Sequence, residues 1–184
     1  MKTDVTQVMV KEHQLILRMI DLVEKNTELV EQGRFSDWQF YLDAVDFIRN
    51  YADRFHHAKE EDVLFIELIK NGMPEKQSPI EAMHMEHDQG RAHVRAMEQA
   101  AQKALQGDAQ QAAAIIEHAR GYAALLRGHI EKEDTILYPL AERILPKAVR
   151  PRMQQAYTEA EAQTPGLEET YRKMVERYEL RAAA

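Results

Sequence analysis

Cysteine is absent from this 184-residue chain. Disulfides and thiolate ligands are thereby excluded, and any metal site has to be built from nitrogen and oxygen donors. Glycine and proline are scarce, seven and six residues, and several of them cluster in short breaks, so the chain reads as all-helical. No apolar run approaches the length of a membrane span, and the N-terminal MKTDVTQVMVKEH lacks the apolar core of an export signal. The expectation is a cytoplasmic protein without a membrane partner. Basic blocks are missing too: 24 Lys and Arg against 31 Asp and Glu leave a net charge of −7, which argues against nucleic acid as a partner. What the chain does have is 45% apolar residues and 30% charged residues of both signs, interspersed, enough for one domain with a core.

Val8, Met9, Leu15, Ile16, Met19, Ile20 and Val23 recur at three- and four-residue steps and predict a first helix from Asp4 to Val30, closed by Gln32-Gly33. Ser36 with Gln39 reads as a capping box opening a second helix, which runs to Lys70 before Asn71-Gly72-Met73-Pro74. Ser78, Pro79 and Glu81 start a third, with Ile80, Met83, Val94, Met97 and Ala101 on one stripe and Gly107 at its end. Asp108 with Gln111 caps a fourth helix reaching Ile144, with a kink expected at Pro139. Four long amphipathic helices with short connections predict an up-down-up-down four-helix bundle over residues 1–145. Residues 146–184 read as a C-terminal helical extension: a helix over 150–163, a break at Thr164-Pro165-Gly166, and a last helix over 168–180. The extension is expected to pack outside the bundle or against another subunit, so a homo-oligomer formed through it is one expected assembly.

Polar groups interrupt this pattern where apolar ones belong. The stretch RFHHAKEEDVLF (residues 54–65) places imidazoles and carboxylates between Ile48, Ala52, Val63 and Leu64. Burying such groups costs several kcal/mol each unless something compensates them. The chain also repeats itself. Glu12-His13 in the first helix matches Glu86-His87 in the third, and HHAKEEDVLF in the second matches HIEKEDTILY in the fourth. His13 and His56 are 43 residues apart, His87 and His129 42. Each half is a helical hairpin offering one His from its first helix and a His-x-x-x-Glu pair from its second. Spacing i, i+4 stacks two side chains on one helix face, so His56 with Glu60 and His129 with Glu133 can reach a common centre. The face is the buried one: His13 lies near Met9, Ile16 and Ile20, His87 near Ile80, Met83 and Val94, and His129 near Leu126 and Ile136. Four imidazoles and two carboxylates then converge, and metal coordination is the usual compensation. His57 with Glu61 shares the spacing, but its neighbours Asn50 and Asp53 are more polar. His56 and Glu60 are therefore taken as the ligands, with His57 at the edge as a hydrogen-bonding support.

With its two Glu-His pairs, H-x-x-x-E-E-x-x-L-F and H-x-x-x-E-D-x-x-L-Y-P, the chain resembles the hemerythrin-like, HHE cation-binding family over residues 5 to 145. The resemblance implies a non-heme di-iron centre bridged by two carboxylates and a hydroxide or oxide, with His13, His56, Glu60, His87, His129 and Glu133 as ligands. Oxygen-carrying hemerythrins have a fifth His one turn before the third-helix ligand. Met83 stands there, and His84 is the neighbouring alternative. His84, His57 and Glu61 are held as further candidates. Ile66 replaces a frequent Pro of the family.

Buried His–Glu ion pairs are the structural alternative, though they add little net stability. His93 is expected to face a neighbouring helix or solvent. His118 is a separate residue, about 16 Å along the helix from His129. Met9, Met19, Met83, Met85 and Met97 read as core filler rather than copper ligands. Glu12 and Glu86 face outward or support an imidazole, and Tyr122 belongs to the core or a pocket wall. Imidazole-rich donors suit iron, zinc, copper and nickel alike, so iron follows from the resemblance. The leading functional expectation is a di-iron protein that binds oxygen or another small diatomic such as nitric oxide, for sensing, storage or protection. An enzyme oxidising iron or reducing nitric oxide or peroxide is the first alternative, although no separate base or nucleophile is visible. A metal-stabilised interaction module docking through its Ala- and Glu-rich tail is the second.

Overall fold

Helix α1 (Gln7–Glu31) stops where Gly33 takes the left-handed conformation, φ 67°, that a residue without Cβ adopts freely. The computed structural model describes residues 5–183, so the start expected at Asp4 lies outside the described residues. Helix α2 spans 38–70 and is not α-helical throughout. It runs as α over Trp38–Phe47, as π over Ile48–His57 and Glu60–Leu64, and as α again over Phe65–Lys70. Helix α3 (Pro79–Leu105) has Pro79 in its first turn, Ser78 Oγ accepting from the Glu81 N–H at 3.5 Å, and Glu81 Oε2 accepting from the Gln77 N–H at 2.7 Å. A 3₁₀ turn (Ala109–Gln111), capped by Asp108 through the Gln110 N–H at 3.1 Å, leads into α4, which spans 112–144 with a π segment at Glu133–Leu137.

The capping box expected at Ser36 does not form. The helix starts two residues after Ser36, Asp37 holds the cap position without a side-chain bond, and Gln39 spends its amide on Asp43 at 2.7 Å. At Pro139, where a kink is expected, the helix changes type: Pro139 stands in the first turn of the last α segment, where the π segment ends.

Each of α1–α4 packs on its neighbours, α1 on α2 and α4, α3 on α2 and α4. With no strand among the described residues, the chain is the all-α bundle that the pattern predicts. Helices α5 (Arg150–Ala162) and α6 (Leu167–Ala183) pack on this same bundle. Tyr171, Val175 and Tyr178 of α6 are buried among Phe40, Phe47 and Tyr51, with the Tyr178 hydroxyl donating to Asp43 at 2.6 Å. Met153 and Tyr157 of α5 are buried with Leu64, Phe65 and Leu68.

The core has two apolar clusters, and the boundary between them falls at the same level on every bundle helix. Met9 belongs to one and Leu15 to the other on α1, Leu64 and Phe55 on α2, Met83 and Val94 on α3, Leu137 and Ile130 on α4. His13, His56, Glu60, His87 and Glu133 fall in that gap and His129 stands at its edge beside Ile130, and none is more than 2% exposed. One polar layer cuts the core.

Candidate metal centre

The π segments decide which side chains enter the layer. An i→i+5 turn holds more residues than an α turn, which broadens the inward face and rotates the residues after it around the helix. On α2 it buries Phe55, His56, His57, Lys59 and Glu60 together. His57, expected at the edge, is therefore inside, 6% exposed and stacked on the His87 ring at 3.8 Å. On α4 the same effect turns Ile136 outward, 55% exposed, although α-helical spacing from His129 predicts it on the inner face. Met85 is likewise exposed rather than core, whereas Met9, Met19, Met83 and Met97 are buried.

The six expected residues come together at one place. His13 and His56 bring their Nε2 atoms within 3.0 Å of each other, and His87 and His129 do the same at 3.0 Å. The carboxylates connect the pairs. Glu133 lies 3.3 Å from His13 Nε2 by one oxygen and 3.0 Å from His129 Nε2 by the other. Glu60 Oε2 lies 3.9 Å from His56 Nε2 and 3.6 Å from His87 Nε2. Each carboxylate thus spans both histidine pairs.

Four further acids fix the imidazoles from behind. Glu12 of α1 accepts from His56 Nδ1 of α2 at 2.8 Å, and Glu61 of α2 from His87 Nδ1 of α3 at 2.6 Å. Glu86 of α3 accepts from His129 Nδ1 of α4 at 2.8 Å, and Asp134 of α4 from His13 Nδ1 of α1 at 2.9 Å. The support runs in a closed ring, each helix holding the histidine of the next. Sequence reasoning left Glu12 and Glu86 between two roles and missed Asp134. Its signal was the acid directly after Glu60 and Glu133 in both repeats.

This ring determines the protonation. Each Nδ1 donates its N–H to a carboxylate, so in the neutral imidazole Nε2 carries the lone pair, and two Nε2 atoms face each other at 3.0 Å in both histidine pairs, an arrangement that calls for a proton or a cation between them. Glu60 Oε2 and both oxygens of Glu133 are buried without a hydrogen-bond donor. Positive charge is what the layer lacks. Protons supply it in part: although burial opposes the charged imidazole, the neighbouring carboxylates of Asp134 and Glu133 push His13 up to about 9, and His129 is raised by the Glu133 charge against the same penalty. Burial, reinforced by Glu133, raises the Glu60 carboxyl well above its ordinary range. Cations satisfy the same donors with better geometry. Two nitrogens 3.0 Å apart, each about 2.1 Å from one ion, subtend about 90° at it, an ordinary angle between adjacent ligands. The donor set fits two ions, one held by His13, His56 and Glu133, the other by His57, Glu60, His87 and His129.

The two halves differ. On the first, Tyr138 stacks on His13 at 5.6 Å and its hydroxyl donates to Glu60 at 2.6 Å; the sequence offered only an aromatic matching Phe65. On the second, His57 is the extra imidazole, and a cavity of about 230 Å³ is lined by His57, His87 and His129 but by neither His13 nor His56. His84 is exposed and groups only with Glu61 and His87, and the fifth-ligand place, Met83, lies in the apolar cluster below the layer. His93 packs at 3.3 Å against His118, outside the layer.

The chain matches the model of the Hemerythrin HHE cation binding domain over residues 4–141, and it belongs to that family. No curated protein and no solved structure matches it.

Proposed function

We propose, taking membership of the HHE cation-binding family as premise, that this chain is a cytoplasmic non-heme di-iron protein that binds oxygen or another small diatomic such as nitric oxide. One observation carries the reading: two pairs of inward Nε2 atoms, each pair 3.0 Å apart and each imidazole held from behind by a carboxylate. When bound, a pair of ferrous ions supplies electrons and open coordination positions for a diatomic. The chain's residues do the rest. Glu60 and Glu133 span both positions and cancel half the charge of two divalent ions, leaving the site receptive to an anionic ligand. Four neutral imidazoles make the donor set softer and less anionic than one dominated by carboxylates, which favours reversible binding over permanent oxidation. The apolar clusters close the layer on either side along the bundle axis. The cavity reaches only the His87–His129 half, so a diatomic would enter there, while Tyr138 closes the His13–His56 half.

The test is metal analysis with optical spectra. Protein produced with iron is expected to hold two irons per chain, to absorb in the near ultraviolet when oxidised, and to change spectrum reversibly on exposure to oxygen or nitric oxide. A folded protein that takes up no iron overturns the reading. Turnover of peroxide or nitric oxide is the second reading, favoured by the buried phenol of Tyr138 beside Glu60 and His13. Sustained turnover abolished in Tyr138→Phe would select it.

A further inference from the structure

We propose that the cavity beside the His87–His129 pair is a binding site for a small organic carboxylate with an apolar body. It deepens the reading of the same centre by naming a second ligand class, and rests on that reading only for what forms the cavity's inner wall. Size is the first reason. At about 30 Å³ per water-sized unit, 230 Å³ holds roughly seven to eight such units, far more than a diatomic fills. Charge is the second. Four arginines and two acids line the cavity, and the acids are engaged: Asp53 by Arg91 at 2.7 Å, Glu86 by His129 and Lys132. Arg49 is paired with Glu98 at 2.5 Å. The surplus falls on Arg54 and Arg95, both exposed and neither in an ion pair among the described residues; Arg54 makes one bond, to Asn50 Oδ1 at 3.3 Å.

The third reason is independent of charge. Tyr122 lines the cavity, is 2% exposed, and its hydroxyl has no hydrogen-bond partner. A buried phenol left unpaired is costly, and a ligand oxygen accepting its hydrogen bond would recover that cost. Gly90 keeps the space open: a Cβ there would stand 3.4 Å from the Tyr122 ring. Val94 and Leu126 supply an apolar wall. A carboxylate accepts from Arg54, Arg95 and Tyr122, while its hydrocarbon body lies against that wall. A neutral ligand satisfies only part of this set.

Benzoate is the probe, titrated calorimetrically into the full-length protein, with benzamide and inorganic phosphate as the neutral and the non-apolar arms. Benzoate is expected to bind one per chain, at least tenfold tighter than either. Arg54→Gln with Arg95→Gln should weaken it about tenfold, Tyr122→Phe about fivefold, and Gly90→Leu should abolish it with metal content unchanged. The arginines are exposed, so that double variant tests the site even if Gly90→Leu does not fold. No benzoate binding, equal affinity for benzamide, or indifference to the arginine and Tyr122 changes overturns the proposal. Metal analysis of the same samples separates the two readings: iron without benzoate removes the carboxylate site alone, and benzoate without iron removes the di-iron reading alone.

Discussion

Glu12 and Glu86 hold equivalent places in the repeat, and replacing each by Gln should affect metal binding alike but stability very differently. Both accept from an imidazole at 2.8 Å, Glu12 from His56 and Glu86 from His129. Loss of such a partner costs about 10–100-fold in metal affinity, or about 1.4–2.7 kcal/mol. Their second partners differ. Glu12, 4% exposed, also pairs with Lys59, whose side chain is fully buried; Glu86 pairs with Lys132, 42% exposed. Glu12→Gln leaves a buried ammonium with only Glu161 at 2.9 Å and the Phe55 ring at 3.7 Å. Breaking a buried pair costs about 3–5 kcal/mol, and these remaining contacts place the loss near the lower end, about 3 kcal/mol. Glu86→Gln breaks a solvated pair, with a cost below about 1 kcal/mol. Urea unfolding of metal-free protein gives the stability arm, and competition with a chelator gives the affinity arm. Equal destabilisation by the two variants, or iron affinity unchanged in both, would refute the reasoning.

Removing the Tyr138 hydroxyl in Tyr138→Phe takes the donor from Glu60 Oε1, and should cost about 1 kcal/mol while the iron stoichiometry stays at two, read by denaturation and metal analysis. His57→Leu should lower the affinity of the cavity-side ion at least tenfold and leave the first ion in place, giving stoichiometry near one at limiting iron. Tyr178→Ala empties a buried place between α6 and the bundle, and should destabilise by about 3 kcal/mol without altering the spectrum of the centre. Burial and the neighbouring charge of His118 hold the His93 imidazole below its ordinary pKa, while Glu117 acts weakly the other way. The unfolded chain therefore binds the proton that the folded chain resists, so stability falls as pH drops below about 6.5. His93→Asn should flatten that fall in melts compared at pH 7.5 and 5.5.

Much of the centre was legible in the residues alone. The doubled Glu-His and His-x-x-x-Glu patterns name the six groups of the layer, because one-turn spacing on an apolar stripe leaves them nowhere to point but inward. Helix ends were legible where local chemistry fixes them, as at Gly33 and at Ser78-Pro79. Ser36 and Gln39 had the right types at the right spacing, yet the helix begins after Ser36, since Gln39 finds Asp43 instead.

What only the tertiary structure decided is the winding of α2 and α4 and everything that depends on it. A 3.6-residue period assigns His57 and Ile136 to the wrong sides, because backbone bonding through π turns leaves no pattern in the side chains that periodicity can read. The ring of support from Glu12, Glu61, Glu86 and Asp134 is also beyond the sequence, since each acid serves a histidine on another helix, and its partner exists only after the helices pack. The same holds for the asymmetry of the two halves. Ligand types are a property of the chain, whereas the side from which a ligand can enter is set by which neighbours leave space.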